Sequence, residues 1–191
     1  MSKVLAIALL GLSAHAFPAY AQNVTYDVEP DHSFVTFGVV HNGTSTTRGR
    51  FDTITGTVDL DQTAKKGQAD IRIDPTSINS GSKGFDEHLR SKDFFNVAAF
   101  PDARFQSQAF AFEGDKISSV SGTLTLLGVQ KPVTLRANRF NCYQNKRTQR
   151  DICGGDFEAT IQRSQWGMNF GLPGIPDTVR LVIQIEAIKR Q

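Results

Sequence analysis

The sequence is poor in cysteine, tryptophan and tyrosine, and it has no long hydrophobic run beyond its N-terminal region. Two cysteines, one tryptophan and three tyrosines occur in 191 residues. No His-x-His or His-Glu-x-x-His pattern suggests a metal site. Neither a Gly-x-Ser-x-Gly elbow nor a phosphate-binding loop is present. We therefore predict a protein that is not an enzyme, binds no metal and requires no cofactor.

An excess of charge of one sign is also lacking. The formal net charge is +2, and the basic residues are spread along the chain. This distribution argues against a nucleic-acid partner. Because no apolar stretch after the N-terminal region is long enough to cross a bilayer, we expect no integral membrane anchor.

The N-terminus has the layout of a secretory signal peptide. Lys3 precedes an apolar run over residues 4–12, and the small residues Ala19 and Ala21 occupy positions -3 and -1 of a cleavage site. We expect a signal peptide over residues 1–21, cleaved after about Ala21. A single domain should then span residues 22–191, outside the cytoplasm.

Cys142 and Cys153 are the two cysteines. In an exported protein they meet an oxidising compartment, which favours a disulfide. Closing so short a loop would contribute roughly 3 kcal/mol in chain-entropy terms. Free thiols and a metal site remain as alternatives, although no histidine lies beside either cysteine.

Apolar residues recur at every second position over most of the chain, which is typical of half-buried strands. Clear examples are Ala69, Ile71 and Ile73; Val133, Leu135 and Ala137; Phe157, Ala159 and Ile161; and Val179, Leu181, Ile183, Ile185 and Ala187. Phe51 is out of step with Ile54, and Phe105 is out of step with Phe110, which indicates bulges or bends. About eight antiparallel strands with short turns predict an all-β sandwich or closed barrel.

Residues 80–100 break this alternation. Phe85 and Leu89 are spaced i,i+4, so we predict a lid of one or two short helices that ends at Pro101. Asp86 and Glu87 are adjacent acids on this segment, and we expect both to be solvated.

The 14 phenylalanines suit the lining of an apolar ligand cavity or, alternatively, a solid core. Ser33, His41 and Arg163 lie on the apolar parity of their strands. His41 and Arg163 would meet a polar ligand head group at the barrel mouth. Alternatively, both lie at strand ends and reach water or a carboxylate, for which Asp31, Glu87, Asp93 and Asp102 are candidates.

Five stretches in order carry a resemblance to a known family. They are residues 31–41 (DHSFVTFGVVH) with 49–51 and 56–58; 86–95 (DEHLRSKDFF); 100–101 with 105–107; 122–129 (GTLTLLGV) with 132–133; and 157–159 with Arg163 and 166–167. With these stretches the chain resembles the YceI-like proteins, lipocalin-like barrels of the bacterial periplasm associated with polyisoprenoid binding. Gly84-Phe85 and Leu127 stand where the family often has polar residues, so the ligand can differ from that of other members.

The resemblance implies an extended eight-stranded antiparallel barrel in the periplasm that encloses a long polyprenyl or quinone-like lipid. From parity and the resemblance, we expect twelve residues to line its interior: Val35, Phe37, Val39, Phe51, Phe95, Phe105, Leu124, Leu135, Ile161, Trp166, Leu181 and Ile183. A non-catalytic interaction module, a small outer-membrane barrel and an enzyme acting on a lipid are the alternatives. The sequence leaves a homodimer open.

Overall fold

The computed structural model describes residues 23–191 as eleven antiparallel strands and one α-helix. The strands are β1 (Val24–Val28), β2 (Phe34–His41), β3 (Ser45–Phe51), β4 (Ile54–Asp61), β5 (Lys66–Ile73), β6 (Ile78–Asn79), β7 (Ala103–Glu113), β8 (Lys116–Leu126), β9 (Val129–Gln144), β10 (Asp151–Gln162) and β11 (Thr178–Lys189). The helix, α1, spans Lys83–Arg90. The expected signal peptide lies outside the described residues.

The eleven segments form a closed barrel of eight strands, because three of those strands are interrupted. Strands β1 and β2 both pair with β11, and they pair in turn with β4 and β3. Strands β5 and β6 likewise pair with β4 and β3. Pairing of β1 with β11 closes the sheet. The predicted all-β antiparallel barrel is confirmed.

The two predicted phase changes coincide with one interruption and with irregularities in β7. Phe51 ends β3, and Ile54 begins β4 after a two-residue break. The register of β7 against β8 shifts between Ser107 and Ala109, and again between Ala111 and Phe112. Such irregularities bend a strand and let a sheet curl until it closes.

Ser33 bridges the break between β1 and β2. It is fully buried. Its hydroxyl donates to the carbonyl of Glu186 at 3.2 Å and accepts from the amide of the same residue at 3.1 Å. A side chain thus replaces the ladder hydrogen bonds that the interrupted strand does not make, which explains a polar residue on an apolar parity.

The predicted helical segment contains α1 followed by turns over residues 91–100. Leu89 is buried beneath it. The expectation that Asp86 is solvated is wrong, whereas Glu87 is exposed. One Asp86 carboxylate oxygen accepts from the amide of Ser80 at 2.7 Å and from its hydroxyl at 2.6 Å, which ties the helix to the preceding loop.

Cys142 and Cys153 face each other on β9 and β10 and form the predicted disulfide. None of the helices within residues 23–191 is long and apolar enough to cross a membrane. Over the same residues, no group of three or more His, Cys, Asp or Glu side chains is placed to hold a metal ion.

Candidate functional site

Two apolar cavities lie next to each other inside the barrel. The larger has a volume of about 350 Å³ and lies beneath α1 and the segment 167–176. The smaller, of about 140 Å³, extends toward the disulfide and is lined in part by Tyr26, Phe140 and Cys153. Their walls share Val35, Ile73, Leu124 and Leu181. The two cavities therefore adjoin each other, and the shared side chains between them form what we call the waist.

Eleven of the twelve residues predicted for the lining lie in these walls. The larger cavity has Phe37, Val39, Phe51, Phe95 and Ile161; the smaller has Phe105, Leu135 and Ile183; and Val35, Leu124 and Leu181 belong to both. Trp166 lines neither cavity. It is buried, and its indole N–H donates to the carbonyl of Leu124 at 3.1 Å, so it packs the 3₁₀ turn Arg163–Trp166 against β8.

Aromatic rings form one wall of the larger cavity. The ring centroids of Phe37 and Phe51 are 6.0 Å apart, and those of Phe51 and Phe95 are 5.2 Å apart in an edge-to-face arrangement. Gly49 makes this packing possible, because a Cβ there would lie 2.5 Å from the Phe37 ring. The strand β3 therefore needs a residue without a side chain opposite Phe37.

A second aromatic cluster lies at the mouth of the larger cavity, and the strand pattern did not predict it. The ring of His88 on α1 lies 5.1 Å from that of Phe94 and 5.0 Å from that of Phe170. Phe94 and Phe170 are 5.3 Å apart. His88 also lies 3.1 Å from a carboxylate oxygen of Asp93. The cluster joins the helical segment to the segment 167–176 across the opening.

Arg163 borders the larger cavity, where its guanidinium also holds the neighbouring loop. Its Nε donates to the carbonyl of Pro176 at 3.1 Å, and its two terminal nitrogens donate to Met168 at 2.9 Å and Ile175 at 3.0 Å. These bonds use three of the five N–H groups that a guanidinium carries. Burial lowers the pKa of Arg163, and the charge of Asp177 opposes that effect.

No carboxylate among the described residues forms an ion pair with Arg163 within 4.0 Å. Asp177 instead accepts from the amide and hydroxyl of Ser164, which lowers the pKa of its carboxyl group. The acids Asp31, Glu87, Asp93 and Asp102 do not pair with Arg163. His41, exposed at the end of β2, lines the same cavity as Arg163. The structure thus brings the two predicted head-group residues to one cavity.

A closed eight-stranded antiparallel barrel around an apolar interior defines the fold as a lipocalin-type barrel. Residues 26–187 match the model of the YceI-like domain, and the chain belongs to that family, which confirms the resemblance. Protein YceI of Salmonella arizonae is 33% identical over 180 residues, covering 91% of this chain and 90% of the relative.

Solved structures share the fold. BcnA of Burkholderia cenocepacia superposes with a TM-score of 0.69 at 27% identity, covering 84% of this chain and 99% of BcnA. A domain of Saccharophagus degradans, described as polyisoprenoid binding and implicated in plant cell wall breakdown, has a TM-score of 0.64 at 19% identity. That match covers 87% of this chain and 99% of the domain.

Proposed function

We propose that this protein is a periplasmic carrier that encloses a long isoprenoid-type lipid, polyprenyl or quinone-like, in the barrel interior. The observation that supports it best is the pair of adjoining cavities inside the barrel, because their walls are almost wholly apolar. The fold neighbour from Saccharophagus degradans, described as a polyisoprenoid binding domain, offers a precedent for such a ligand in this fold.

Burial of an apolar tail supplies the driving force. At about 25 cal/mol per Å² of apolar surface removed from water, a few hundred Å² gives on the order of 10 kcal/mol before the costs of association. The eleven predicted lining residues found in the cavity walls would contact the tail, while Trp166 would support the wall from behind.

His41 and Arg163 are proposed to face the polar end of the lipid. Arg163 is a buried cation without a paired carboxylate, and two of its N–H groups remain beyond the three bonds to carbonyls. A head group with oxygen acceptors would offset part of the cost of burying that charge. His41 is exposed at the edge of the same cavity and would contact a head group that projects outward.

A periplasmic location accords with the disulfide, because such bonds persist in oxidising compartments. The expected signal peptide over residues 1–21 is part of the same proposal. An outer-membrane barrel fits less well, because its outward side chains would form an apolar band. Here Glu158 instead meets Arg136 and Arg180 on the outer face of β9–β11.

An interaction module with a solid core is the second alternative, and the adjoining cavities oppose it. To distinguish the two functions, we would purify the mature protein from the periplasm without detergent, extract it with organic solvent and analyse the extract by mass spectrometry. The carrier function predicts a stoichiometric long-chain isoprenoid or quinone. An empty extract from folded protein that also takes up no added lipid would contradict the carrier and favour the interaction module.

A further inference from the structure

We infer that the mouth of the larger cavity docks on the surface of a lipid bilayer. The docking surface, called here the mouth rim, consists of the β2–β3 hairpin tip over residues 39–47 and the loop over residues 164–176. The two parts lie side by side, since an added Cβ on Gly174 would be 3.8 Å from the Asn42 side-chain oxygen. This inference rests on the proposed lipid-carrier function.

The mouth rim exposes large apolar side chains that are continuous with the cavity. Val40 and Phe170 are 45% and 43% exposed, and both also line the larger cavity. Single exposed apolar residues are ordinary on protein surfaces. Val40 and Phe170, however, belong both to the outer surface and to the wall of an apolar cavity. They therefore form an apolar path from the outside to the interior.

The mouth rim carries almost no charge. Between Arg163 and Asp177 there is no Asp, Glu, Lys or Arg, and over residues 39–47 the only ionisable side chain is that of His41. Placing these segments among lipid head groups and the ends of acyl chains would therefore remove no lysine, arginine or carboxylate from water, which is the main cost of entering that environment. The exposed charge of Arg48 lies just outside the rim in the sequence.

Side-chain contacts fix the loop over residues 164–176 and the position of Phe170 on it. Arg163 fixes it through three carbonyls, and the ring of Phe170 packs against His88 and Phe94. Phe170 therefore lies at the boundary between the cavity and the outside. When the rim rests on a bilayer, a lipid tail would pass between acyl chains and cavity without crossing water, a step that would otherwise cost about 0.8 kcal/mol per CH₂.

A bilayer is favoured over a protein partner because the cargo proposed for the cavity resides in membranes. Burial of exposed apolar side chains at the boundary between head groups and acyl chains is one of the forces that hold peripheral proteins on a bilayer.

The test measures flotation of the mature protein with vesicles of phosphatidylcholine containing phosphatidylglycerol. We expect the wild type to float and the double variant Val40→Ser and Phe170→Ser to bind at least about tenfold more weakly, since the anchoring apolar area is lost. Val182→Ser is the matched control, because Val182 is 39% exposed on β11 but lines neither cavity, and its binding should equal the wild type.

Fluorescence provides a readout that does not depend on a destabilised variant. The only tryptophan, Trp166, is 2% exposed, so it gives a constant background. In Phe170→Trp the new indole should shift its emission to the blue when vesicles are added, whereas that in Val182→Trp should not. Two results would overturn the inference. One is that the wild type does not float and the emission of Phe170→Trp does not shift; the other is that the double variant floats as well as the wild type.

Organic-solvent extraction of lipid from the same protein preparations distinguishes failure of the docking inference from failure of the carrier function. Wild-type protein that contains lipid but ignores vesicles would refute docking and leave the carrier intact. Protein that floats through Phe170 yet neither contains nor takes up lipid would refute the carrier and leave docking intact. A photocrosslinker at position 170 that joins a protein rather than lipid in cells would overturn docking on a bilayer.

Discussion

At the scale of single residues, Ser33 shows how one hydroxyl maintains an interrupted strand. The Ser33 side chain is fully buried, and its hydroxyl exchanges hydrogen bonds with the amide and the carbonyl of Glu186. We expect Ser33→Ala to lower the free energy of unfolding by about 1–3 kcal/mol, because the amide of the half-buried Glu186 loses its side-chain acceptor. Urea denaturation would measure the change. Ser45→Ala, at an exposed position of β3, should stay within about 0.5 kcal/mol, and similar losses in both variants would contradict this role.

Glu158 is the residue from which we expect a distinct acid dependence. Hydrogen bonds from Arg180 and Arg136 lower the pKa of Glu158 from 4.5 to about 2. Because the folded pKa lies below the unfolded one, unfolding takes up a proton between these values, and this stabilisation is lost as the pH falls from about 4.5 to about 2. Glu158→Gln should therefore melt below the wild type at pH 7 and approach it near pH 2. A melting difference that does not depend on pH would contradict the assignment.

At the scale of elements, the strands could be predicted because side chains alternate between the barrel interior and the solvent. That rule placed Phe37, Leu124 and Leu181 in the cavity walls, and the phase change at Phe51 located a break. The mouth could not be predicted in this way. The loop that contains Phe170 has no hydrophobic periodicity. Its course depends on hydrogen bonds from the Arg163 guanidinium to the carbonyls of Met168 and Ile175, and strand alternation does not predict such bonds.

Trp166 and Asp86 show a related limit. Parity and the family resemblance predict Trp166 as a lining residue, but its indole N–H needs an acceptor and donates to the carbonyl of Leu124. The sequence predicts Asp86 as a solvated acid on a short helix, yet Ser80, six residues before it, supplies two donors to its carboxylate. In both cases a hydrogen-bond partner, which parity does not reveal, decided the orientation.

Arg163 has two proposed roles, support of the loop over residues 164–176 and contact with the ligand, and substitution can separate them. Arg163→Met should destabilise the protein by on the order of 3 kcal/mol, because three carbonyls lose a charged donor. It should also speed hydrogen exchange of the amides in residues 168–176. Arg136→Met, at a 68% exposed side chain on the outer face, should change stability by no more than about 1 kcal/mol.

The head-group role of Arg163 adds a second readout to the same variant. In Arg163→Met, the affinity for a prenol phosphate should fall more than the affinity for a hydrocarbon of equal chain length, because only the prenol phosphate has acceptors for the guanidinium. An equal loss for both lipids would mean that Arg163 supports the loop alone, and the polar end of the ligand would then be left to His41.

At the scale of the whole molecule, the waist between the two cavities should set the length of tail that the barrel can hold. Leu181 belongs to both walls, and the next residue, Val182, points outward from the same strand. Leu181→Trp should fill the waist at a packing cost of about 1–3 kcal/mol, whereas Val182→Trp adds the same ring to the surface.

If one tail occupies both cavities, Leu181→Trp should lose long isoprenoids and keep those short enough for the larger cavity, while Val182→Trp binds as the wild type does. Titration with prenols of increasing length, together with mass spectrometry of co-purified lipid, would measure the change. Undiminished binding of the longest chains by folded Leu181→Trp would mean that the smaller cavity takes no part in holding the ligand. The smaller cavity would then reflect packing of the barrel core, and the length of the bound tail would be set by the larger cavity and its mouth.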